Sequence, residues 1–357
     1  MIPLFYPYIP KKKILKELSD TLGTKWIGQG PKVGLFEKKF GKKMGYKYPL
    51  MVNSGTSALE LAYHLLELNE GDTVVIPVLD ALAGQAGLLR RKCKLLFCDI
   101  ERDTLNIDPD ALERLLKANK VRTVVGVHLG GIHFNQKIYA ICKKYKVPLI
   151  VDSAQHPAPT YGNYICYSFQ AIKHITTADG GMLVLNNKKE YERAKKLRWF
   201  GISRDLKKYN SWKRRESTFD IEEPGYKFQP TDIDACFALA ALPDLDSIIE
   251  YRKKLAIEYL KGLKSVRQVQ VVARDTYWLL TILASRRDNL AYYLVKNGIE
   301  VNLVHIRQDI FKIFGGKRKM LPNMNWIESR YLCLPLNTKI NKSDVTFVCK
   351  AIRQFYD

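Results

Sequence analysis

The chain alternates short apolar runs with longer stretches in which apolar residues recur every three or four positions. The first pattern is typical of buried strands, and the second of helices with one buried face. Predicted strands lie at 73–79, 94–99, 121–128 and 147–151, and the predicted helices between them lie at 81–91, 109–118 and 135–145. Strands that alternate with helices indicate a sheet assembled from βαβ units. The expected fold class is therefore α/β.

The last third of the chain has a different order of elements. Two predicted helices, 232–242 and 246–263, are separated near Pro243. We then expect strands at 267–272, 276–282 and 299–304, and helices at 286–297, 323–330 and 342–355. These mixed elements predict a smaller C-terminal α+β domain at 246–357, after a large domain at 1–245 that includes a proline-rich lead-in.

Two polar residues follow neighbouring apolar runs. Asp152 ends the run at 147–151, and Lys173 lies in a polar turn shortly after the run at 164–169. Ligands of open α/β sheets bind at the carboxyl ends of the strands. We therefore expect this acid and this amine to lie close together in a candidate site.

Such a pair suits pyridoxal phosphate (PLP). This cofactor needs a lysine for its Schiff base and a carboxylate that keeps its pyridine nitrogen protonated. The two residues alone also fit a plainer interpretation, in which Asp152 caps a turn and Lys173 is one solvated lysine of a lysine-rich chain. The wider sequence has to decide between these interpretations.

A candidate phosphate site precedes a predicted helix at Asn53, Ser54, Gly55 and Thr56. The first amides of a helix have no partner inside the helix, and small residues let an anion approach them closely. An ordinary Ser/Thr cap of the helix is the alternative for this local pattern.

Several segments in order carry a family resemblance. They are NSGTSALEL at 53–61, GDTVVIPVL at 71–79, DIERDTLNIDP at 99–109, VDSAQ at 151–155, SFQAIKHITTADGG at 168–181, LRWFGISR at 197–204 and GYKFQPTDIDA at 225–235. Together they resemble the DegT/DnrJ/EryC1/StrS family of sugar aminotransferases, over nearly the whole chain. The resemblance implies the aspartate aminotransferase-like fold of PLP enzymes (fold type I), with a large mixed-sheet α/β domain.

The resemblance also implies roles for single residues. Lys173 would carry the cofactor, and Asp152 would contact its ring nitrogen. Gln155 would lie against the ring oxygen. The phosphate would be bound by Gly55, Thr56 and Ser168.

The chain departs from the family pattern at two places. Many members have Asn where this chain has Lys227, and that residue contacts the phosphate bound by the partner chain, which implies a homodimer. Lysine can replace that contact as a point charge. Members commonly have Thr and then an aromatic or small residue where this chain has Asp80 and Ala81. Since Ala81 cannot stack on the cofactor ring, another group must cover that face.

Three further residues are weaker candidates. His128 resembles a histidine often found at this place in the family, and a packed, hydrogen-bonded histidine is the alternative. His305 and Arg307 are guesses for substrate contacts in the C-terminal domain.

The expected activity is transfer of an amino group from L-glutamate, which leaves as 2-oxoglutarate, to a keto group of a nucleotide-diphosphate keto-deoxy sugar, with C4 as the expected position. A sugar dehydratase using the same cofactor is an alternative, but such relatives replace the Schiff-base lysine with histidine. A regulatory, nucleic-acid-binding family member is the other alternative. The sequence does not identify the nucleotide or the sugar.

Charge and cysteine content affect these alternatives. The chain has 58 Lys and Arg against 36 Asp and Glu, which gives a net charge of +22. The basic residues are spread in short clusters, which favours a solvated cationic surface over specific nucleic-acid binding.

Seven cysteines without CxxC pairing indicate buried thiols in a reducing compartment, and no metal-binding set is expected. No signal peptide or membrane span is expected, which predicts a cytosolic protein.

Overall fold

A seven-stranded sheet forms the larger part of the protein. The computed structural model describes residues 1–203, 221–272 and 274–357. The strand order is β1-β7-β6-β5-β4-β2-β3, in which β2 to β6 are parallel and β7 is antiparallel to both of its neighbours. The strands are β1 (Tyr48–Val52), β2 (Thr73–Pro77), β3 (Lys94–Cys98), β4 (Thr123–Val127), β5 (Leu149–Asp152), β6 (Tyr164–Ser168) and β7 (Gly181–Leu185). The α/β class is confirmed.

Helices cover both faces of this sheet. They are α1 (Lys11–Leu22), α2 (Pro31–Met44), α3 (Gly55–Leu65), α4 (Ala83–Arg90), α5 (Pro109–Ala118), α6 (Lys137–Lys144), α7 (Lys188–Leu197) and α8 (Asp232–Ala241). Successive residues of a strand point to opposite faces. Val124 therefore packs in one core with α2, α5 and α8, whereas Val125 packs in a second core with α3.

A second, antiparallel sheet lies in the C-terminal part, with the order β10-β9-β8. Its elements are α9 (Leu245–Leu263), β8 (Val269–Val272), β9 (Leu280–Ala284), α10 (Arg287–Lys296), α11 (Pro322–Ile327), β10 (Tyr331–Leu334) and α12 (Lys342–Tyr356). Helix α9 joins the two parts, because Leu245 packs in the core of the large sheet and Leu255 packs in the C-terminal core.

One predicted strand is wrong. Residues 299–304, all of them described, form only isolated bridges, such as the one from Asn302 to Cys333. Val304 has φ 60°, a left-handed conformation that a valine strand does not continue through. The third strand of this sheet is instead β10, a four-residue run that the apolar pattern did not single out.

The first residues of the chain lie against the C-terminal part. Ile2 forms a bridge with Ile299, and the amide of Leu4 donates a hydrogen bond to Glu300 Oε2 at 2.9 Å. The domain boundary at 245 and 246 stays a prediction. The sequence has a long polar, basic stretch at 201–224, which predicts a loop. Most of it, 204–220, lies outside the described residues.

No helix within the described ranges is both long and apolar enough to cross a membrane. The seven cysteines all belong to these ranges, and they are buried, unpaired thiols, as expected.

Asp232 holds the start of α2 against α8. Its carboxylate accepts hydrogen bonds from the amides of Gly30, Lys32 and Val33 at 2.8, 3.0 and 3.0 Å. These amides lie where a helix begins, and they have no acceptor inside the helix. The carboxylate supplies that acceptor and also favours the positive end of the helix dipole.

We predict that Asp232→Ala lowers the free energy of unfolding by about 2–3 kcal/mol, because it removes the acceptor of several partly or fully buried amides. Urea unfolding measures the change. Asp246→Ala is the matched control, since the Asp246 side chain is 82% exposed and pairs with Lys43 at the surface. The control should stay within about 0.5 kcal/mol of wild type. Equal losses in both variants would contradict this role for Asp232.

Candidate active site

The candidate site lies where β5 and β6 end. Asp152 is the last residue of β5 and is buried, and the amide of Ala154 donates a hydrogen bond to its Oδ1 at 2.8 Å. Lys173 lies in the turn after β6, where its own amide donates to the carbonyl of Gln170 at 2.9 Å. The parallel pairing of β5 with β6 brings the two strand ends to one edge of the sheet. The structure thus places the predicted acid and amine together.

The amine of Lys173 lies over an aromatic ring from the C-terminal part. Its Nζ is 4.0 Å from the centroid of the buried Trp278 ring. Burial lowers the pKa of Lys173 to about 8, and the negative charge of Asp152 opposes that effect. A lysine with this pKa is partly neutral near neutral pH. The neutral amine is the form that attacks a carbonyl carbon.

A second buried acid, Asp80, lies shortly after β2. Burial raises the pKa of Asp80 well above its ordinary value, and the charge of Asp152 raises it further. Burial also raises the pKa of Asp152. A backbone amide and Lys173 oppose the rise at both acids, Ala81 at Asp80 and Ala154 at Asp152, but only Asp80 is raised further by the other carboxylate. Two neighbouring buried carboxyls do not both ionise. We therefore assign the proton to Asp80 and the negative charge to Asp152.

The neighbouring amide of Gln85 fits this assignment. The orientation that satisfies both of its polar atoms lets the amide nitrogen donate to the carbonyls of Ala81 and Leu82. The other end of the amide lies 3.3 Å from Asp80 Oδ2 and is then the carbonyl oxygen. That oxygen accepts a hydrogen bond only from a protonated Asp80.

The residues around the start of α3 are tightly packed. A methyl group added to Gly55 would lie 2.9 Å from Cβ of Ser168, and one added to Gly181 would lie 2.4 Å from the carbonyl oxygen of Ser54. Gly55 and Thr56 are the first two residues of α3, so their amides belong to the helix terminus. The structure therefore brings together the three predicted phosphate contacts, Gly55, Thr56 and Ser168.

Gln155 links the site to the C-terminal part. Its Oε1 accepts a hydrogen bond from the amide of Gly130 at 2.7 Å, and its Nε2 lies 2.9 Å from Nε2 of His305. The amide nitrogen donates, so His305 Nε2 accepts. Burial lowers the pKa of His305 to about 3, and Lys173 adds to this effect. His305 is thus a neutral neighbour of the site, and its contact with substrate stays a prediction.

Arg307 and His128, which the sequence suggested as possible substrate contacts, are instead bonded to other residues of the protein. The Arg307 side chain pairs with Asp309 at 2.6 Å and with Glu328 at 3.0 Å, so its charge is already compensated. His128 is fully buried; its Nδ1 accepts from the Phe134 amide at 3.2 Å, and its Nε2 therefore donates to Thr160 Oγ1 at 2.9 Å. The geometry favours the packed, hydrogen-bonded histidine over a substrate contact.

Lys227 is exposed and lies beside the loop that precedes α3. Its carbonyl accepts a hydrogen bond from Asn53 Nδ2 at 3.3 Å, and the carbonyl of Phe228 accepts from the Asn53 amide at 2.9 Å. The main chain of Lys227 is thus held at this edge, and its side chain is exposed. Its contact with a partner chain stays a prediction.

Sequence reasoning missed Trp278. It belongs to a short aromatic and apolar run, Tyr277 to Leu280, and that pattern indicates only burial. Its contact with Lys173 joins two segments that are far apart in the chain, so no local pattern reveals it. Asp80 was noted only as a departure from the family, and its proton follows from burial beside Asp152.

The site fits PLP in three respects. The start of α3 suits a phosphate, because the first amides of a helix have no acceptor inside the helix and Gly55 lies close against Ser168. Asp152 offers a buried negative charge for the ring nitrogen. Lys173 offers an amine with a lowered pKa.

Comparison with known proteins gives the same result. The model of the DegT/DnrJ/EryC1/StrS aminotransferase family matches residues 9–353. The chain belongs to this family. Its enzymes are PLP-dependent sugar aminotransferases, so PLP is the cofactor and this chain is an aminotransferase. The expected family and cofactor are confirmed, and of the expected activity the class, sugar aminotransferase, is confirmed.

Three similar proteins span nearly the whole chain. The spore coat polysaccharide biosynthesis protein SpsC of Bacillus subtilis is 29% identical, over 99% of this chain and 96% of its own. GDP-perosamine synthase of Escherichia coli O157:H7 is 28% identical, over 99% and 98%. The crystal structure of the sugar aminotransferase CalS13 from Micromonospora echinospora is 26% identical, with a TM-score of 0.90 over 99% of this chain and 100% of that chain.

Replacing Asp152 and replacing Asp80 should affect the pKa of Lys173 differently. Only the neutral amine captures PLP, so capture by the apoprotein should rise with pH and level off above about 8, the pKa of Lys173. Asp152→Asn removes a negative charge that raises this pKa, and the inflection should move down by about one pH unit. Asp80→Asn replaces one neutral group with another, so the inflection should stay in place.

Absorbance of bound PLP across a pH series measures both inflections, and circular dichroism checks that the variants are folded. An equal shift in the two variants would contradict the assignment of the proton to Asp80.

Proposed function

We propose that this aminotransferase moves an amino group from L-glutamate to the C4 keto group of a nucleotide-diphosphate keto-deoxy sugar. The observation that carries the proposal is the buried Asp152 beside Lys173, whose pKa is lowered to about 8. Similarity to a GDP-perosamine synthase and to a sugar aminotransferase supports a nucleotide-linked sugar as the acceptor. The net charge of +22 supports an anionic substrate.

Each residue of the site has a distinct task. Bound PLP supplies an electron sink next to the reacting carbon. Asp152 keeps the proton on the pyridine nitrogen, because a buried carboxylate favours a cationic partner. Lys173 holds the cofactor, and after release its Nζ takes the proton from the carbon that bears the donor's amino group. The amides at Gly55 and Thr56, with Ser168, hold the phosphate.

Trp278 shields the amine of Lys173 from water. Its ring lies 4.0 Å from Nζ, and it is almost completely buried. The contact excludes water from one side of the amine, which keeps the pKa low. The same amine serves both halves of the reaction: L-glutamate leaves as 2-oxoglutarate, and the nitrogen then passes to the sugar.

The proposal is tested in two half-reactions. L-glutamate added to the holoenzyme should bleach the cofactor absorbance and release one 2-oxoglutarate per site. A series of nucleotide-diphosphate 4-keto and 3-keto sugars should then restore the absorbance, with mass spectrometry locating the new amine. Lys173→Ala is the control, and it should fail in both halves. Loss of water from a sugar without gain of nitrogen would instead support the dehydratase alternative.

We further propose that two chains share each site through Lys227, which would contact the phosphate held by the partner chain. Lys173→Ala and Lys227→Glu should each be inactive alone. Random mixing makes half of the dimers hybrid, and each hybrid has one intact site, so activity should recover to about a quarter of wild type. Lys264→Glu, at another exposed lysine, should stay active alone.

Subunit exchange is confirmed separately with tagged chains. Full exchange without recovery would show that each site is built from one chain. A cytosolic location and the lack of a specific nucleic-acid ligand stay predictions.

A further inference from the structure

Three side chains with metal-binding atoms meet close to the active site. They are His133, in the loop before α6, His156, in the loop after β5, and Asp275, in the loop before β9. One potential ligand atom from each residue lies within 4.8 Å of those of the other two. The two imidazole rings are 4.0 Å apart between centroids.

The two histidines each have an unsatisfied nitrogen. Nδ1 of His133 and Nδ1 of His156 are buried, and neither forms a hydrogen bond with any described residue. His156 is only 1% exposed. Nearly all buried polar groups in proteins have a partner, so two adjacent exceptions point to a missing ligand.

A third histidine of this region, His128, differs from these two because both of its nitrogens have hydrogen-bond partners. The ring of His128 is 4.7 Å from that of His133 and 5.2 Å from that of His156. Both of its nitrogens are occupied, by the Phe134 amide and by Thr160. Burial alone therefore does not leave a histidine unsatisfied here.

We propose that His133, His156 and Asp275 bind a divalent transition metal ion, with Zn²⁺ as the preferred ion. Two neutral imidazoles and one carboxylate are typical zinc ligands, whereas Mg²⁺ and Ca²⁺ take oxygen ligands. Zinc–nitrogen bonds of about 2.0–2.1 Å place tetrahedral ligand atoms about 3.3 Å apart. The candidate ligand atoms now lie within 4.8 Å of one another, so side-chain rotation has to bring them closer when the ion binds.

The carboxylate is already oriented for this task. The amide of His133 donates a hydrogen bond to Asp275 Oδ2 at 2.9 Å, which fixes one oxygen and leaves the other available. Asp275 is exposed, so water reaches the fourth coordination position. The site is therefore open on one side and buried on the side of His156.

The ion joins three segments that border the active site. His133 and His156 belong to the loops after β4 and β5, and Asp275 precedes Trp278, which covers Lys173. The metal thus braces the segment that carries Trp278 against the large sheet. His133, His156 and Asp275 act on the reaction through this positioning, not through contact with the substrate.

Metal content of the holoenzyme tests the proposal. The protein is stripped with chelator, dialysed against a series of free ZnCl₂ concentrations, and analysed by mass spectrometry for metal. We expect about one zinc per chain, with affinity at least about tenfold weaker in His133→Ala and in Asp275→Asn. His64→Gln is the matched control, because His64 bonds Tyr226 and Glu223 elsewhere in the fold. Its affinity should equal that of wild type.

Cobalt identifies the ligands. Co²⁺ in the same site should give visible d–d absorption of a nitrogen and oxygen environment, without the charge-transfer band of a thiolate. Asp275→Asn leaves the core intact, since the residue is exposed, and it keeps the test valid if His133→Ala unfolds. Zinc bound equally by wild type and both variants, or no zinc bound at all, would overturn the proposal.

Discussion

One charge balance governs the site: a single lysine amine faces two buried carboxyl groups, of which only one can ionise. Asp152 ends β5 and Asp80 follows β2, and β4 lies between these strands in the sheet. The parallel strands bring both acids to one edge. Burial penalises charge on each, and the charge of Asp152 raises the pKa of Asp80 further. The sheet therefore supplies one anion and one neutral acid. A second ionised acid would raise the pKa of Lys173 and keep its amine protonated.

This balance depends on the C-terminal part of the chain, because that part provides the burial. Trp278 covers Nζ of Lys173, and His305 is hydrogen-bonded to Gln155. The buried Arg252, on α9, donates hydrogen bonds to the carbonyls of Trp278 and Leu336 at 2.7 and 2.9 Å. Gln308 Nε2 also donates a hydrogen bond to the backbone carbonyl of Asp80 at 2.7 Å, so this part of the chain contacts the second acid too. The electrostatics of the large sheet are thus set by packing across both parts.

The sequence predicts what depends on short-range pattern. The end of the apolar run at Asp152, the polar turn with Lys173 and the small residues at Gly55 are local features, and the structure brings them together. The parallel strands of the large sheet follow for the same reason, apart from their exact ends, whereas β1 and β7 at its antiparallel edge were not predicted. Trp278 and the proton on Asp80 depend on contacts between distant segments, which no local pattern contains. The short strand β10 was missed because four apolar residues are compatible with several structures.

The segment before β9, which leads to Trp278, is held by hydrogen bonds to the main chain even without a metal ion. The amides of Asp275 and Thr276 donate to the carbonyl of Gly131 at 3.0 and 2.9 Å, and His174 Nε2 donates to the carbonyl of Thr276 at 3.0 Å. Main-chain contacts therefore fix the path of this segment by themselves. A metal ion at Asp275 would add a constraint to a position that is already defined. Its loss should loosen the Trp278 contact without unfolding the segment, so the effect should fall on the environment of Lys173 more than on global stability.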